Sequence, residues 1–227
     1  MKYFIVFCFA LFLHFSANAA FPKTKAPMPN FFDGFAKSTP YPESVYHTEY
    51  GDEIVLMKSH FHGSGLYING SINRSVLDLV EGILEFQTIS YVFLNSNGGY
   101  VDEGLALGRI FREKKIFTAL DYNTECHSAC FLAFIGGIER YQSGADLLAK
   151  HPLVTTHTPY YLKSGRKIYL NRNEDLAKEV CNYIKLMLPE QGGKRACFET
   201  FSAKEGVVHL NSLMHKMGVF TGYLQNY

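Results

Sequence analysis

Between residues 54 and 137 short apolar runs alternate with stretches of helical period, and that alternation restricts the architecture more than any other feature. Ile54-Val55-Leu56-Met57, Leu66-Tyr67-Ile68-Asn69-Gly70, Tyr91-Val92-Phe93-Leu94 and Ile116-Phe117-Thr118-Ala119-Leu120 read as strands. Residues 75–84 have helical spacing, with Ser75 placed to cap them. In residues 102–114, Leu105, Leu107, Ile110 and Phe111 give an apolar helix face. Strand and helix in strict turn predict an α/β fold, a mostly parallel sheet with helices on both faces. Functional groups in such folds gather at the carboxyl ends of the strands.

Two segments about thirty residues apart fall at that edge. Asn95-Ser96-Asn97-Gly98-Gly99 ends the strand at 91–94, and Glu125-Cys126-His127-Ser128-Ala129-Cys130 opens the apolar run Phe131-Leu132-Ala133-Phe134-Ile135, which reads as a helix. A Gly-Gly pair at a strand end can aim bare backbone N–H groups at one point. A serine at a helix N-terminus lies in the positive field of the helix dipole. Together they offer a nucleophile and an oxyanion hole, the first needs of acyl transfer. The bland alternatives are a helix cap at Ser128 and a tight turn at Gly98-Gly99. A base would be a histidine, and His151 and His157 follow Ser128 in the chain.

Residues 1–19 read as a signal peptide: Lys2, an apolar run from Tyr3 to Leu13, and the small-x-small pattern Ala17-Asn18-Ala19, with cleavage after Ala19. Residues 20–50, rich in Pro, Lys, Phe and Tyr, read as an irregular arm, and 51–227 as one domain. The chain is thus expected to be exported, to the periplasm or beyond. The formal net charge of +1 and the lack of a basic tract argue against a nucleic-acid partner. Asn173 to Leu188 reads as a helix, and a further one starts near Ser202 and runs towards Gly218.

Four cysteines follow the leader: Cys126, Cys130, Cys181 and Cys197. An even number in an exported chain points to disulfides. Cys181 and Cys197 flank the turn signal Pro189-Glu190-Gln191-Gly192-Gly193, so a bridge between them would clamp two helical stretches. Cys126 and Cys130 are either a local disulfide or two thiols packed in the core. A metal site built from them with His127, His60 and His62 is not expected, because Cys-x-x-x-Cys is not a usual zinc spacing. No cofactor is expected.

The ordered set Leu66-Tyr67-Ile68-Asn69-Gly70, Asn95-Ser96-Asn97-Gly98-Gly99, Ser128-Ala129, His157-Thr158-Pro159, Phe201-Ser202-Ala203-Lys204-Glu205-Gly206 and Met217-Gly218 resembles the Clp-protease/crotonase superfamily. It looks closest to exported ClpP-like serine peptidases that carry a Cys-x-Ser-Ala-Cys segment. The resemblance spans residues 54–222 and implies a ClpP/crotonase-like fold acting on peptide or protein substrates. It makes Ser128 the nucleophile, His157 the base, and Gly98 or Gly99 with Ala129 the oxyanion hole. His151-Pro152 is a competing base. The family's acidic third member has no clean match; Glu199 and Asp175 are the nearest acids, and a Ser-His dyad is the other option. Asn97 stands where the family's Gly-Gly loop has proline. Relatives of this fold assemble as trimers or hexameric rings, so a homo-oligomer is implied by analogy. A catalytically inactive binding or scaffold protein on the same fold is the alternative, and a thioesterase or hydratase of the crotonase type a further one.

Overall fold

The computed structural model describes residues 41–59, 63–121, 124–143, 154–202 and 216–224. The chain enters through an antiparallel pair, β1 (Tyr41–His47) and β2 (Glu53–Ser59), followed by β3 (Gly63–Asn69). Three crossovers come next: α1 (Arg74–Phe86) to β4 (Ile89–Asn95), α2 (Val101–Glu113) to β5 (Phe117–Leu120), and, after the two-residue strand β6 (Cys126–His127), α3 (Ala129–Gly136) to β7 (Arg140–Ser143). Beyond them lie β8 (Val154–Thr155), the hairpin β9 (Tyr160–Lys163) and β10 (Arg166–Tyr169), the helices α4 (Asp175–Met187) and α5 (Glu190–Ser202), and β11 (Gly222–Leu224). The main sheet has seven strands in the order β1-β2-β3-β4-β5-β7-β11, parallel from β3 onward. The α/β class and the mostly parallel sheet read from the sequence are both present.

The helices do not flank both faces among the described residues. Buried side chains from all five helices join one cluster with Ile54, Leu56, Leu66, Ile68, Val92 and Leu94. The alternate strand residues Val55, Met57, Tyr67, Tyr91 and Phe93 form a separate cluster on the opposite face. The strand order explains this. β3, β4, β5 and β7 are laid down in one direction, and right-handed crossovers that all step the same way put their helices on the same face. Alternation in sequence specifies parallel pairing but not the direction of each step.

Other expectations shift locally. The arm placed at 20–50 gives way by residue 41 to β1, which pairs with β2 from Tyr41↔Lys58 to His47↔Glu53. Pro42 obscured it; proline suits an edge strand, and the register slips between Pro42 and Ser44. The cap of α1 is Asn73, not Ser75: Asn73 Oδ1 accepts the Val76 N–H at 2.9 Å. Its amide also donates to the buried Asp52 at 2.6 Å. The predicted signal peptide, His60, His62 and His151 lie outside the described residues.

Two disulfides are formed, Cys126–Cys130 and Cys181–Cys197. The second joins α4 to α5 as expected. No helix among the described residues is long and apolar enough to cross a membrane.

Candidate active site

Three chain segments meet at the carboxyl edge of the sheet. The Gly-Gly loop follows β4, the Ser128 loop follows β5, and the His157 segment follows β8. Short parallel pairings join them: Ser96 bridges Cys126, and β6 pairs β8 with Cys126↔Val154 and His127↔Thr155 in register. The Ser96 N–H donates to Glu125 O at 2.6 Å and the His127 N–H to Ser96 O at 2.9 Å. The Ser128 N–H donates to Thr155 O at 3.1 Å, which leaves His157 two residues beyond the carbonyl that holds Ser128.

Asn95 locks this arrangement with its side chain. Its Nδ2 donates to Asn69 Oδ1 at 2.9 Å on β3, and its Oδ1 accepts the Glu125 N–H at 3.0 Å. Asn95 is thus the clamp between the sheet and the serine loop.

Ser128 precedes the first residue of α3 with φ 54°, a backbone region where a non-glycine residue is uncommon and mildly strained. Its side chain makes no capping hydrogen bond. The bland reading of Ser128 as an ordinary helix cap therefore lacks the bond that would define it. The residue is half-buried, with α3 wholly apolar behind it.

The two glycines face different neighbours. A Cβ on Gly98 would stand 2.8 Å from Ser128 Cβ, 2.7 Å from His127 O and 3.3 Å from the Ala129 nitrogen. Only bare backbone fits that closely against the serine turn. A Cβ on Gly99 would run into the backbone of Ile72, whose N–H and C=O hold Gly98 O and the Tyr100 N–H at 2.8 and 2.9 Å. The Gly98 N–H is already given to Ser96 Oγ at 3.0 Å. No partner is seen for the N–H groups of Gly99 and Ala129 among the described residues. Ala129 opens α3, where such N–H groups have no intrahelical acceptor.

His157 is half-buried, and its Nδ1 lies 2.8 Å from Thr158 O. Its neighbours are anchored on α5: Thr156 Oγ1 meets Thr200 Oγ1 at 3.0 Å, and Thr158 Oγ1 donates to Thr200 O at 3.0 Å. All three threonines are buried. The nearer histidine in sequence, His127, is committed at both ring nitrogens, Nδ1 to Thr155 Oγ1 and Nε2 to Glu125 Oε2 at 2.8 Å.

Neither expected acid is paired with His157. Glu199 forms an ion pair with Arg195 one turn earlier on α5. Asp175 stands at the start of α4 with its side chain fully exposed (100%) and pairs with Lys178. Glu199 does adjoin Thr200, which holds Thr156 and Thr158 on either side of His157. No group of three or more His, Cys, Asp or Glu residues that could hold a metal occurs among the described residues. Cys126 and Cys130 are joined to each other across Ser128 and are fully buried.

No protein-family model and no curated protein matches the sequence. Solved structures do match the fold. ClpP1 from Listeria monocytogenes superposes with a TM-score of 0.52 at 16% identity, over 71% of this chain and 91% of that one. A mutant of the 1510-N membrane-bound stomatin-specific protease superposes with a TM-score of 0.50 at 16% identity, over 70% of this chain and 77% of that one. A second mutant of the same protease, in complex with a substrate peptide, gives 0.50 over 70% and 73%. The chain has the ClpP-like fold.

Proposed function

We propose that this ClpP-like chain is an exported serine peptidase in which Ser128 attacks a peptide carbonyl and His157 is the general base. The observation that carries the reading is the approach of the Gly98 backbone to the Ser128 turn, 2.8 Å from a would-be Cβ to Ser128 Cβ. A turn and a helix cap have no need of such an approach; a nucleophile packed against bare backbone, with the Gly99 and Ala129 N–H groups next to it in the chain, does.

The contact at His157 Nδ1 sets the proton inventory. With Nδ1–H donating to Thr158 O, Nε2 keeps its lone pair for the Ser128 hydroxyl proton. Ser128 Oγ then bonds the carbonyl carbon, and the oxyanion takes the N–H groups of Gly99 and Ala129. Gly98, its N–H held by Ser96, serves by close approach. His157 returns the proton to the leaving amine as the C–N bond breaks, and water hydrolyses the acyl-enzyme by the same route. The third position is filled by the Thr158 carbonyl, which makes the site a Ser-His dyad. The resemblance and the two disulfides favour an exported, oxidising location such as the periplasm. Self-association into a trimer or hexamer belongs to the same proposal by fold analogy.

The second reading, an inactive binding or scaffold protein, draws on the absence of a carboxylate partner for His157 among the described residues. Hydrolysis of an unfolded protein substrate by the oxidised mature chain decides between them. The peptidase reading expects cleavage that Ser128→Ala and His157→Ala abolish and His151→Ala leaves. Loss in His151→Ala alone would move the base to His151. No cleavage by folded wild type would favour the scaffold.

A further inference from the structure

We propose that Tyr160 is the positioning residue for His157, fixing the plane of the imidazole where a carboxylate would do so in a triad; this rests on His157 being the base. A single hydrogen bond from Nδ1 to Thr158 O fixes one ring atom and leaves the ring free to tilt about that bond. The Tyr160 ring removes that freedom. It stacks on the imidazole with centroids 5.7 Å apart and planes inclined by 25°, within the range of offset aromatic pairs.

Tyr160 is itself held on the ribbon that starts beside His157. Tyr160 and Tyr169 are register partners across β9 and β10, and their rings meet edge to face at 5.6 Å and 65°. Lys167 Nζ lies 4.4 Å from the Tyr160 centroid. The ribbon closes through Ser164 and Gly165 with φ 51° and 75°, the paired positive values of a turn whose twist matches a two-stranded ribbon. Both strands are otherwise largely exposed, so little core packing dictates a tyrosine at 160. The phenolic hydroxyl has no bonded partner among the described residues, so the ring carries the role.

The test compares Tyr160→Phe, Tyr160→Leu and Tyr161→Leu. Tyr161 points to the opposite face of the ribbon and is 51% exposed, so it reports damage to the hairpin alone. Tyr160→Phe is expected to keep kcat within about twofold, and Tyr160→Leu to lower kcat about tenfold or more with KM little changed, the usual scale for a misplaced catalytic group. Tyr161→Leu should match wild type. Nitrogen-15 NMR of the histidine rings gives a readout independent of turnover. A single Nδ1–H tautomer at His157 is expected in wild type and Tyr160→Phe, and an averaged one in Tyr160→Leu. If wild type proves inactive, the peptidase reading fails while the NMR comparison still decides the stack. An unchanged tautomer signal and unchanged kcat in Tyr160→Leu, or equal losses in the Leu and Phe variants, would overturn the inference.

Discussion

Gly98 lies against Ser128 so closely that a single added carbon would sit 2.8 Å from the serine Cβ. The backbone there has φ +98°, so a side chain would be strained as well as crowded. Gly98→Ala is therefore expected to cost about 1–3 kcal/mol of stability. Because the clash falls on the serine turn, it should also lower turnover by about a hundredfold or more. Gly165→Ala is the control: φ is also positive, +75°, but nothing lies within 4 Å. It should cost about 1–2 kcal/mol and leave turnover intact. Urea unfolding and peptide hydrolysis on both variants check the pair.

The two disulfides should separate stability from activity. Cys181–Cys197 closes a span of 16 residues and Cys126–Cys130 one of 4. Loop entropy alone gives about 3 kcal/mol for the long span and about 2 kcal/mol for the short one. Cys181→Ser with Cys197→Ser is expected to lower the unfolding midpoint more. Cys126→Ser with Cys130→Ser frees the residues on both sides of Ser128 and should lower kcat more. Unfolding curves and turnover for both double variants give the ordering.

Arg140 anchors the last described strand. Its guanidinium donates to the carbonyls of Gly137, Gly218 and Val219 at 2.6, 2.9 and 2.7 Å. Burial, with the Arg112 charge adding to it, lowers its pKa to about 10. Arg140→Met leaves three carbonyls without their donor and should cost about 3 kcal/mol. Arg140→Lys cannot reproduce the fork and should recover only part of that. Urea denaturation of both variants measures the difference.

Stability should fall at alkaline pH for an identifiable reason. Burial raises the phenols of Tyr67, Tyr91 and Tyr183 well above the ordinary tyrosine value of 10.0. For an acid with a raised folded pKa, the unfolded chain ionises first. The stabilisation is thus complete below pH 10 and is lost progressively above it. A phenolate absorbance titration should show these three groups ionising only as the far-ultraviolet circular dichroism collapses.

Much of the fold was legible because strand and helix periods differ and alternate cleanly from β2 to α3. The serine loop and the Gly-Gly loop of the candidate site could be singled out because each is contiguous in sequence. What was hidden depends on distant partners. Asn73 and Ser75 are both good helix caps, and the choice is made by Asp52, 21 residues from Asn73. The ribbon β9–β10 has exposed strands, so no burial pattern announces Tyr160-Tyr161-Leu162; the turn residues Ser164-Gly165 were its only signal. The pairing of Glu199 with Arg195 could have been read, since the two stand four apart on one helix. The clamp made by Asn95 could not, since its partners Asn69 and Glu125 lie 26 and 30 residues away.

Active-site labelling decides whether Ser128 is a nucleophile served by His157. The oxidised protein would be treated with a fluorophosphonate and the modified residue located by peptide mass. One adduct on Ser128 is expected, absent in Ser128→Ala and formed far more slowly in His157→Ala. A folded, oxidised wild type that takes no label, or a label that persists in Ser128→Ala, would contradict it.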